Sequence, residues 1–472
     1  MRQQPVRIAG QMVTMENSIE VRNPYSQEVI GTIPACGQAE VDLACEAAAG
    51  ELAGDAFPQH ARARVLEVAA ELLRSRIEDF ALIIAKEAGK PLKTARGEAT
   101  RTVDTLVFSA VEARKLGGEL VPMAGSATGA GKLAFAMRVP RGVVAAISPF
   151  NFPLNLVAHK LGPAIAAGCP VVLKPASATP FSAIKLVELL VEAGLPAGWI
   201  SVVTGSGKEV GARLVEHPIP KLVSFTGSPE VGWDLVAKSP KKKFSLELGS
   251  NAPLIIEPDA DLELVSQKAK LAGFSHAGQS CISTQRILVH SSVQDRFVSQ
   301  LKTAVESLVV GDPLDESTDM GPLISRAETE RVRSWIEAAV AAGGELVTGG
   351  KVTNGILMPT VVNNAPSHVD LCAREAFGPV VVVNSYDSFE QAIEMANESS
   401  LGLQVGVFTQ NLSKALLAAR RLEFGGIVVN DVPTYRADQM PYGGVKESGN
   451  TREGPAYAVA EMTELRLVIL QE

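Results

Sequence analysis

GVVAAISPFNFPLNLVAHKLGPAIAAGCPVVLKPAS, residues 142–177, is the stretch whose reading decides the fold. A short apolar run at 143–147 stops at Pro149. Helical periodicity follows over 153–167, and a second apolar run at 170–173 ends on Lys174 and Pro175. The unit then repeats: helix over 181–193, strand at 200–203, helix over 208–216, strand at 222–226 and helix over 229–237. Strands at 244–248 and 254–257 close the series. Short apolar strands alternating with helices at this spacing predict βαβ units and a mostly parallel sheet.

Working outward, the chain before residue 142 reads as helix-rich. Apolar residues recur at helical spacing over 40–73, then over 76–88 and 93–115, as amphipathic helices covering another layer. After the first series a second one begins. Strands are expected at 287–289, 380–383, 405–408 and 427–429, with helices over 293–308 and 326–342 and others between. This predicts a second α/β domain. Two segments fit neither series. Residues 118–140 alternate weakly, and 464–470 (ELRLVIL) form a long apolar strand. An apolar edge strand invites aggregation unless it is covered, so its expected partner is 118–140 or another subunit.

Bulk properties narrow the function. The 472 residues predict two or three domains. A net charge of −8 argues against a nucleic-acid partner. The one basic run, Lys241 to Lys243, reads as a solvated strand entry. Five widely spaced cysteines without a C-x-x-C suit a reducing compartment and exclude a disulfide framework or zinc site. The first residues, MRQQPVRIAGQMV, lack a long apolar core, and no apolar run reaches about 18 residues. A cytoplasmic protein without a signal peptide or membrane partner is therefore expected.

Candidate chemistry sits in a few loops. Gly205-Ser206-Gly207 with Gly211 lies between a strand and a helix. It is one residue longer than the dinucleotide glycine loop, while Gly227-Ser228 opens a second strand-to-helix turn. Glycine there admits a phosphate to the backbone and the helix N-terminus favours an anion, although a plain βα turn has the same composition. Gly278-Gln279-Ser280-Cys281 sets a thiol in a small, polar segment, unlike the apolar surroundings of most buried cysteines. Glu247 ends an apolar strand, where burial raises a carboxyl and suits it to base work; pairing with a lysine or the backbone is the alternative. The six histidines form no metal motif. His276, five positions before Cys281, is not placed beside it by any rule.

Taken in order, PFNFP at 149–153, KPAS at 174–177, SFTGSPEVG at 224–232, LELGS at 246–250, GQSC at 278–281, EAFGPV at 375–380 and PYGGVKESG at 441–449 resemble the aldehyde dehydrogenase superfamily. The likeness runs from the Asn23-Pro24 region to the final strand. It implies an α/β fold of two doubly wound domains with a small β arm. Residues 1–117 and 141–249, with 448–458 returning, would form the NAD(P)-binding domain. Residues 250–447 would form the catalytic domain, and 118–140 with 459–472 the oligomerisation arm of a homodimer or homotetramer.

The resemblance also implies roles. Cys281 would be the nucleophile, Asn151 the oxyanion donor with the Cys281 backbone N–H, Glu247 the base that activates water, and Glu453 a helper in proton movement. Ile147, Ser148, Pro149, Lys174, Ser177, Gly207, Phe225, Gly227, Ser228, Leu248, Glu375 and Phe377 would line the cofactor site. Of these, Lys174 would meet the adenosine ribose, Gly227 and Ser228 the pyrophosphate, and Glu375 and Phe377 the nicotinamide riboside. The GSG loop would lie near the adenine rather than serve as the phosphate fingerprint.

Departures from the family pattern carry information too. NAD-preferring members usually have Glu at the Ser177 position, where a carboxylate repels a 2′-phosphate, so NADP should be accepted beside NAD. Ser250 replaces a second glycine after Leu248-Gly249. The branch most resembled handles lactaldehyde, glycolaldehyde and glyceraldehyde 3-phosphate. Arg101 resembles one phosphate anchor, but Ser280 stands where a second arginine is usual. The expected substrate is therefore a small hydroxy- or semialdehyde, with Arg101, His159, Ser280 and Arg436 as candidate polar contacts. Two alternatives remain at this level: an acylating enzyme that passes the thioester to coenzyme A, and a non-catalytic nucleotide-binding or structural protein on the same fold.

Overall fold

A computed structural model describes residues 3–54 and 57–471. The chain starts in two small antiparallel hairpins, Val6–Ile8 with Gln11–Val13 and Ser18–Arg22 with Val29–Pro34. Strands of three to six residues carry too little periodicity to stand out in the sequence. The helical tract expected over 40–73 is two helices, Gln38–Ala53 and Gln59–Ser75, separated before Pro58. Ile77–Ala88 and Leu92–Lys115 complete the set.

The first series folds as a five-stranded parallel sheet in the order Lys243–Glu247, Leu222–Thr226, Val144–Ile147, Val171–Lys174, Ile200–Val202. Its inner strands are continuous apolar runs because helices cover both faces. Val144–Ile147 comes first in the chain and lies in the middle. Successive strands were added on one side of it and then on the other. The carboxyl ends of Val144–Ile147 and Leu222–Thr226 therefore flank a topological switch point, where open α/β sheets bind ligands.

The strand at 254–257 does not close this series. Pro253–Ile256 pairs in parallel with Arg286–His290 and Gln404–Phe408 at the centre of a second sheet. That sheet has seven strands, and only its Glu345–Thr348 edge is antiparallel. Thr360–Asn363 and Glu345–Thr348 were not anticipated. The latter is half exposed and shows no clean apolar alternation.

The terminal strand Thr463–Gln471 pairs antiparallel along its whole length with Lys132–Pro140, which also carries Gly118–Val121. The expected partnership of these two segments is what the fold displays. The small sheet leaves Leu120, Leu133, Phe135, Met137, Leu465, Leu467 and Ile469 substantially exposed. Among the described residues no helix is long and apolar enough to cross a membrane. Of the basic run, Lys241 and Lys243 are exposed, while Lys242 reaches the His217 carbonyl.

Candidate active site

Cys281 is delivered by a left-handed turn. The helix Leu262–Phe274 ends, and His276, Ala277 and Gly278 then take φ of 51°, 54° and 70°. Positive φ is costly for residues with a Cβ. At Gly278 a Cβ would also stand 2.1 Å from the Gly378 carbonyl oxygen, so only glycine fits. The turn throws Gln279 to Cys281 into the space between the two large sheets. Gln279 is the buried clasp of this loop: its amide donates to the His276 carbonyl and its Oε1 accepts from the Ile324 N–H. Ser280 closes the loop through its backbone, N–H to the Gly278 carbonyl at 2.9 Å. His276 is buried against Phe152 and makes no bond to Cys281.

Asn151 reaches this loop from the other sheet. Its Nδ2 donates to the Gln279 carbonyl at 2.9 Å, and its Oδ1 has no partner among the described residues. An amide nitrogen carries two protons, and Asn151 lines the same cavity as Cys281. Glu247 is the last residue of Lys243–Glu247 and is buried with both carboxylate oxygens free of partners among the described residues. A Cβ on Gly443 would come within 2.9 Å of its Oε1. Burial, and next the Glu453 carboxylate, push Glu247 well above the usual carboxylate range, against the pull of Arg436 and Lys160. Burial works on Glu453 too, but Arg436, His159 and Lys160 outweigh it and hold Glu453 below that range. A cavity of about 20 Å³, room for a single water, is walled by both carboxylates and His159.

One cavity of about 820 Å³ collects Pro149, Asn151, Gly227, Ser228, Glu247, Leu248, Cys281, Glu375 and Phe377. It runs from the switch point of the five-stranded sheet to the thiol. Glu375 is pressed onto Gly249, where a Cβ would lie 2.2 Å from its Oε2. It accepts from the Ser250 N–H at 3.0 Å, and burial lifts it to about 8. The unusual Ser250 thus serves through its backbone, and its hydroxyl is buried without a partner among the described residues. Phe377 meets Phe150 edge-on at 5.8 Å.

At the far end, Ser228 caps the helix Pro229–Lys238, whose N-terminus faces the cavity. Gly227 lies under the Phe225 ring and Gly232 against Leu248, each without space for a Cβ. Ile147 ends its strand and Ser148 follows it, with Oγ buried and without a partner among the described residues. Lys174 is buried and forms no ion pair among the described residues; burial lowers it to about 8. Ser177 donates to the Gly205 carbonyl at 2.9 Å. The surplus residue of the glycine loop is absorbed in a π-helical turn, Gly207–Gly211, in which the Gly211 N–H returns to the Ser206 carbonyl. A helix N-terminus and close-packed Gly227 and Gly249 along the wall of this cavity fit a dinucleotide. Among the described residues no group of His, Cys, Asp and Glu could hold a metal.

The four candidate substrate contacts are placed differently, and none lines this cavity. Arg101 forks onto Asp438 at 2.8 and 3.1 Å, and His159 Nε2 reaches the same carboxylate at 2.9 Å. Arg436 pairs with Glu453 at 2.5 Å and lies behind Tyr442, its guanidinium 3.9 Å from the ring centre. Asp438, Lys160, Gln279 and Tyr442 were missed as functional candidates. Tyr442 was the most visible of them, a phenol inside the already conspicuous PYGGVKESG run.

A cavity at the switch point of a doubly wound sheet thus ends on a thiol, an amide and a buried carboxylate. The sequence model of the aldehyde dehydrogenase family matches residues 12–468. Among curated relatives, 3-sulfolactaldehyde dehydrogenase of Priestia aryabhattai is 46% identical over 98% of this chain and 97% of its own. Aldehyde dehydrogenase 21 from Physcomitrella patens, solved with the reaction product succinate, superposes with a TM-score of 0.97 at 39% identity, covering 100% of this chain and 98% of its own. Glyceraldehyde-3-phosphate dehydrogenase from Methanocaldococcus jannaschii, solved with NADP, gives 0.93 at 38% identity, covering 97% and 100%. The chain belongs to the aldehyde dehydrogenase family and is an NAD(P)-dependent aldehyde dehydrogenase.

Proposed function

We propose that this enzyme oxidises a small hydroxy- or semialdehyde to its acid by way of a thioester on Cys281. The Cys281 sulfur adds to the aldehyde carbon, and the carbonyl electron pair moves to oxygen. Asn151 Nδ2 and the Cys281 N–H are assigned to that oxyanion, because donors aimed at developing charge in a closed site stabilise it strongly. The nicotinamide, when bound, takes up the hydride. Glu247 then removes a proton from the water that hydrolyses the thioester. Glu453 passes that proton onward through the single-water cavity that it shares with Glu247. The observation that carries this reading is the meeting of Cys281, Asn151 and partnerless Glu247 at one end of the cleft. A buried carboxylate held ready for water favours hydrolysis over transfer to coenzyme A. Asn151→Ala should lower kcat by about 100- to 1,000-fold while Cys281 remains open to alkylation. Equal loss of both would mean that the loop has collapsed.

Substrate size follows the relatives, whose names point to small aldehydes with a polar or charged tail. Assay of nicotinamide reduction against a panel of lactaldehyde, glycolaldehyde, succinic semialdehyde and glyceraldehyde 3-phosphate ranks them. A preference for long apolar aldehydes would contradict the assignment.

For the cofactor, position 177 carries a serine where a glutamate would set a carboxylate against a 2′-phosphate. We assign NADP as accepted beside NAD. Ser177→Glu should reduce kcat/KM for NADP at least about tenfold relative to NAD, as a like charge a few ångströms away does. An unchanged ratio would remove Ser177 from cofactor choice. The exposed apolar face of the small β arm supports a homodimer or homotetramer, and the five widely spaced cysteines support a cytoplasmic setting.

A further inference from the structure

Tyr442 has a buried polar group that the scheme above leaves without a task. Its side chain sits in an apolar cluster with Ile282, Leu403 and Met440, and its hydroxyl oxygen lies 2.9 Å from Cys281 Sγ. The ring is fixed from several directions. Its backbone exchanges hydrogen bonds with Glu453 in both senses, N–H to carbonyl at 3.1 and 2.5 Å. The Arg436 guanidinium covers one ring face at 3.9 Å and is itself tied to Glu453. Such clamping gives the hydroxyl one position, on the sulfur.

We propose that the Tyr442 hydroxyl is a catalytic hydrogen-bond donor that eases ionisation of Cys281 to the attacking thiolate, a role that rests on Cys281 being the nucleophile. Either group can donate in the neutral pair, but an ionised sulfur has no proton to give, so the phenol is the donor to the thiolate. Burial, and next the neighbouring Cys281, lift the phenol well above its ordinary value, so it keeps its proton and donates. Burial pushes the Cys281 thiol up to about 12; the Tyr442 hydrogen bond and Arg436 pull the other way, while Glu375 and Glu247 add to the rise. A thiol of that kind is a poor nucleophile at neutral pH, since only the thiolate attacks. An O–H donor bonds an anionic sulfur more strongly than a neutral one, so it lowers the cost of ionisation. The thiol proton leaves to water in the cleft, and the phenol proton stays on oxygen. The sulfur pair then forms the C–S bond as the carbonyl pair moves to oxygen. The charged and titratable groups facing this pair are Arg436, Glu453, Glu247 and Glu375, and none of them offers the sulfur a hydrogen bond among the described residues.

The test compares wild type and Tyr442→Phe, which keeps the ring and the Arg436 stack. Alkylation of Cys281 by iodoacetamide is followed by peptide mass across the pH range, without aldehyde. Melting temperature and thiolate ultraviolet absorbance are read on the same samples. The other four cysteines are buried and serve as internal controls. The alkylation midpoint in Tyr442→Phe should rise by about one pH unit, with the rate at neutral pH falling about tenfold. The alkaline plateau should stay unchanged, and the acid limb of kcat/KM should move by the same interval. An unmoved midpoint would overturn the proposal, as would a loss of rate by the same factor at every pH, which marks a packing role. Cys281→Ser assayed in parallel separates the two levels. If it turns over aldehyde like wild type, the nucleophile reading itself fails, whatever Tyr442 does.

Discussion

Glu247→Gln should produce a burst. Reduced nicotinamide should form in an amount equal to the enzyme within the first turnover, and the steady state should then run about 100- to 10,000-fold below wild type, the range set by loss of a general base. The reason lies in the order of events. In the proposed scheme, attack by Cys281 and hydride departure do not require the carboxylate, but attack of water on the thioester does. Glutamine keeps the volume beside Gly443 and removes only the basicity. The pH dependence has a defined sign. Burial and Glu453 raise the Glu247 carboxyl well above its ordinary value, so its proton-accepting form increases as pH rises. Where hydrolysis limits turnover, kcat of the wild type should climb as pH rises through the raised Glu247 value and level off above it. The slow steady state of Glu247→Gln should lack that limb. Stopped-flow absorbance at several pH values measures both. A mutant with equal first and later turnovers would show that Glu247 acts before or during hydride transfer.

Cys281→Ala should show the largest loss, at least about a thousandfold in kcat with every aldehyde, as removal of a covalent nucleophile does. Its burst should vanish with its steady state, unlike that of Glu247→Gln. Dinucleotide binding should persist, because the substitution removes one sulfur from the wall of a cavity whose other lining, Gly227, Ser228 and Glu375 among it, is left in place. Calorimetric titration with NADP checks this. Retained turnover would move the chemistry off Cys281, whereas lost binding would mean that the loop fixed by Gln279 and Asn151 had rearranged.

Much of this was legible in the chain because it is written locally. Val144–Ile147 and Val171–Lys174 are buried on both faces, so each is an uninterrupted apolar run and announces a central parallel strand. Glu345–Thr348 lies on an edge, half in solvent, and its pattern does not separate from loop. Pro253–Ile256 shows the limit of periodicity. It reads as a buried strand, which is correct, but nothing in four residues says to which sheet it belongs.

The site divides along the same line. Cys281, Glu247 and Asn151 stand in motifs, whereas the contacts that tune them join distant segments. Arg101 and His159 look like polar hands reaching for substrate until Asp438, an inconspicuous loop residue, is found between them. Arg436 is likewise engaged by Glu453 and Tyr442. Gly278 and Gly249 are visible as glycines, yet the reasons for them, the Gly378 carbonyl and the Glu375 carboxylate, lie about a hundred residues further along the chain.

The central claim is that oxidation passes through an acyl group on Cys281. Glu247→Gln, mixed with NADP and the best aldehyde of the panel, quenched in acid after one turnover and digested, tests it directly by mass spectrometry. An acyl adduct is expected on the peptide containing Cys281, in an amount matching the reduced nicotinamide formed. Reduced nicotinamide with no adduct, or with the adduct on another residue, would contradict it.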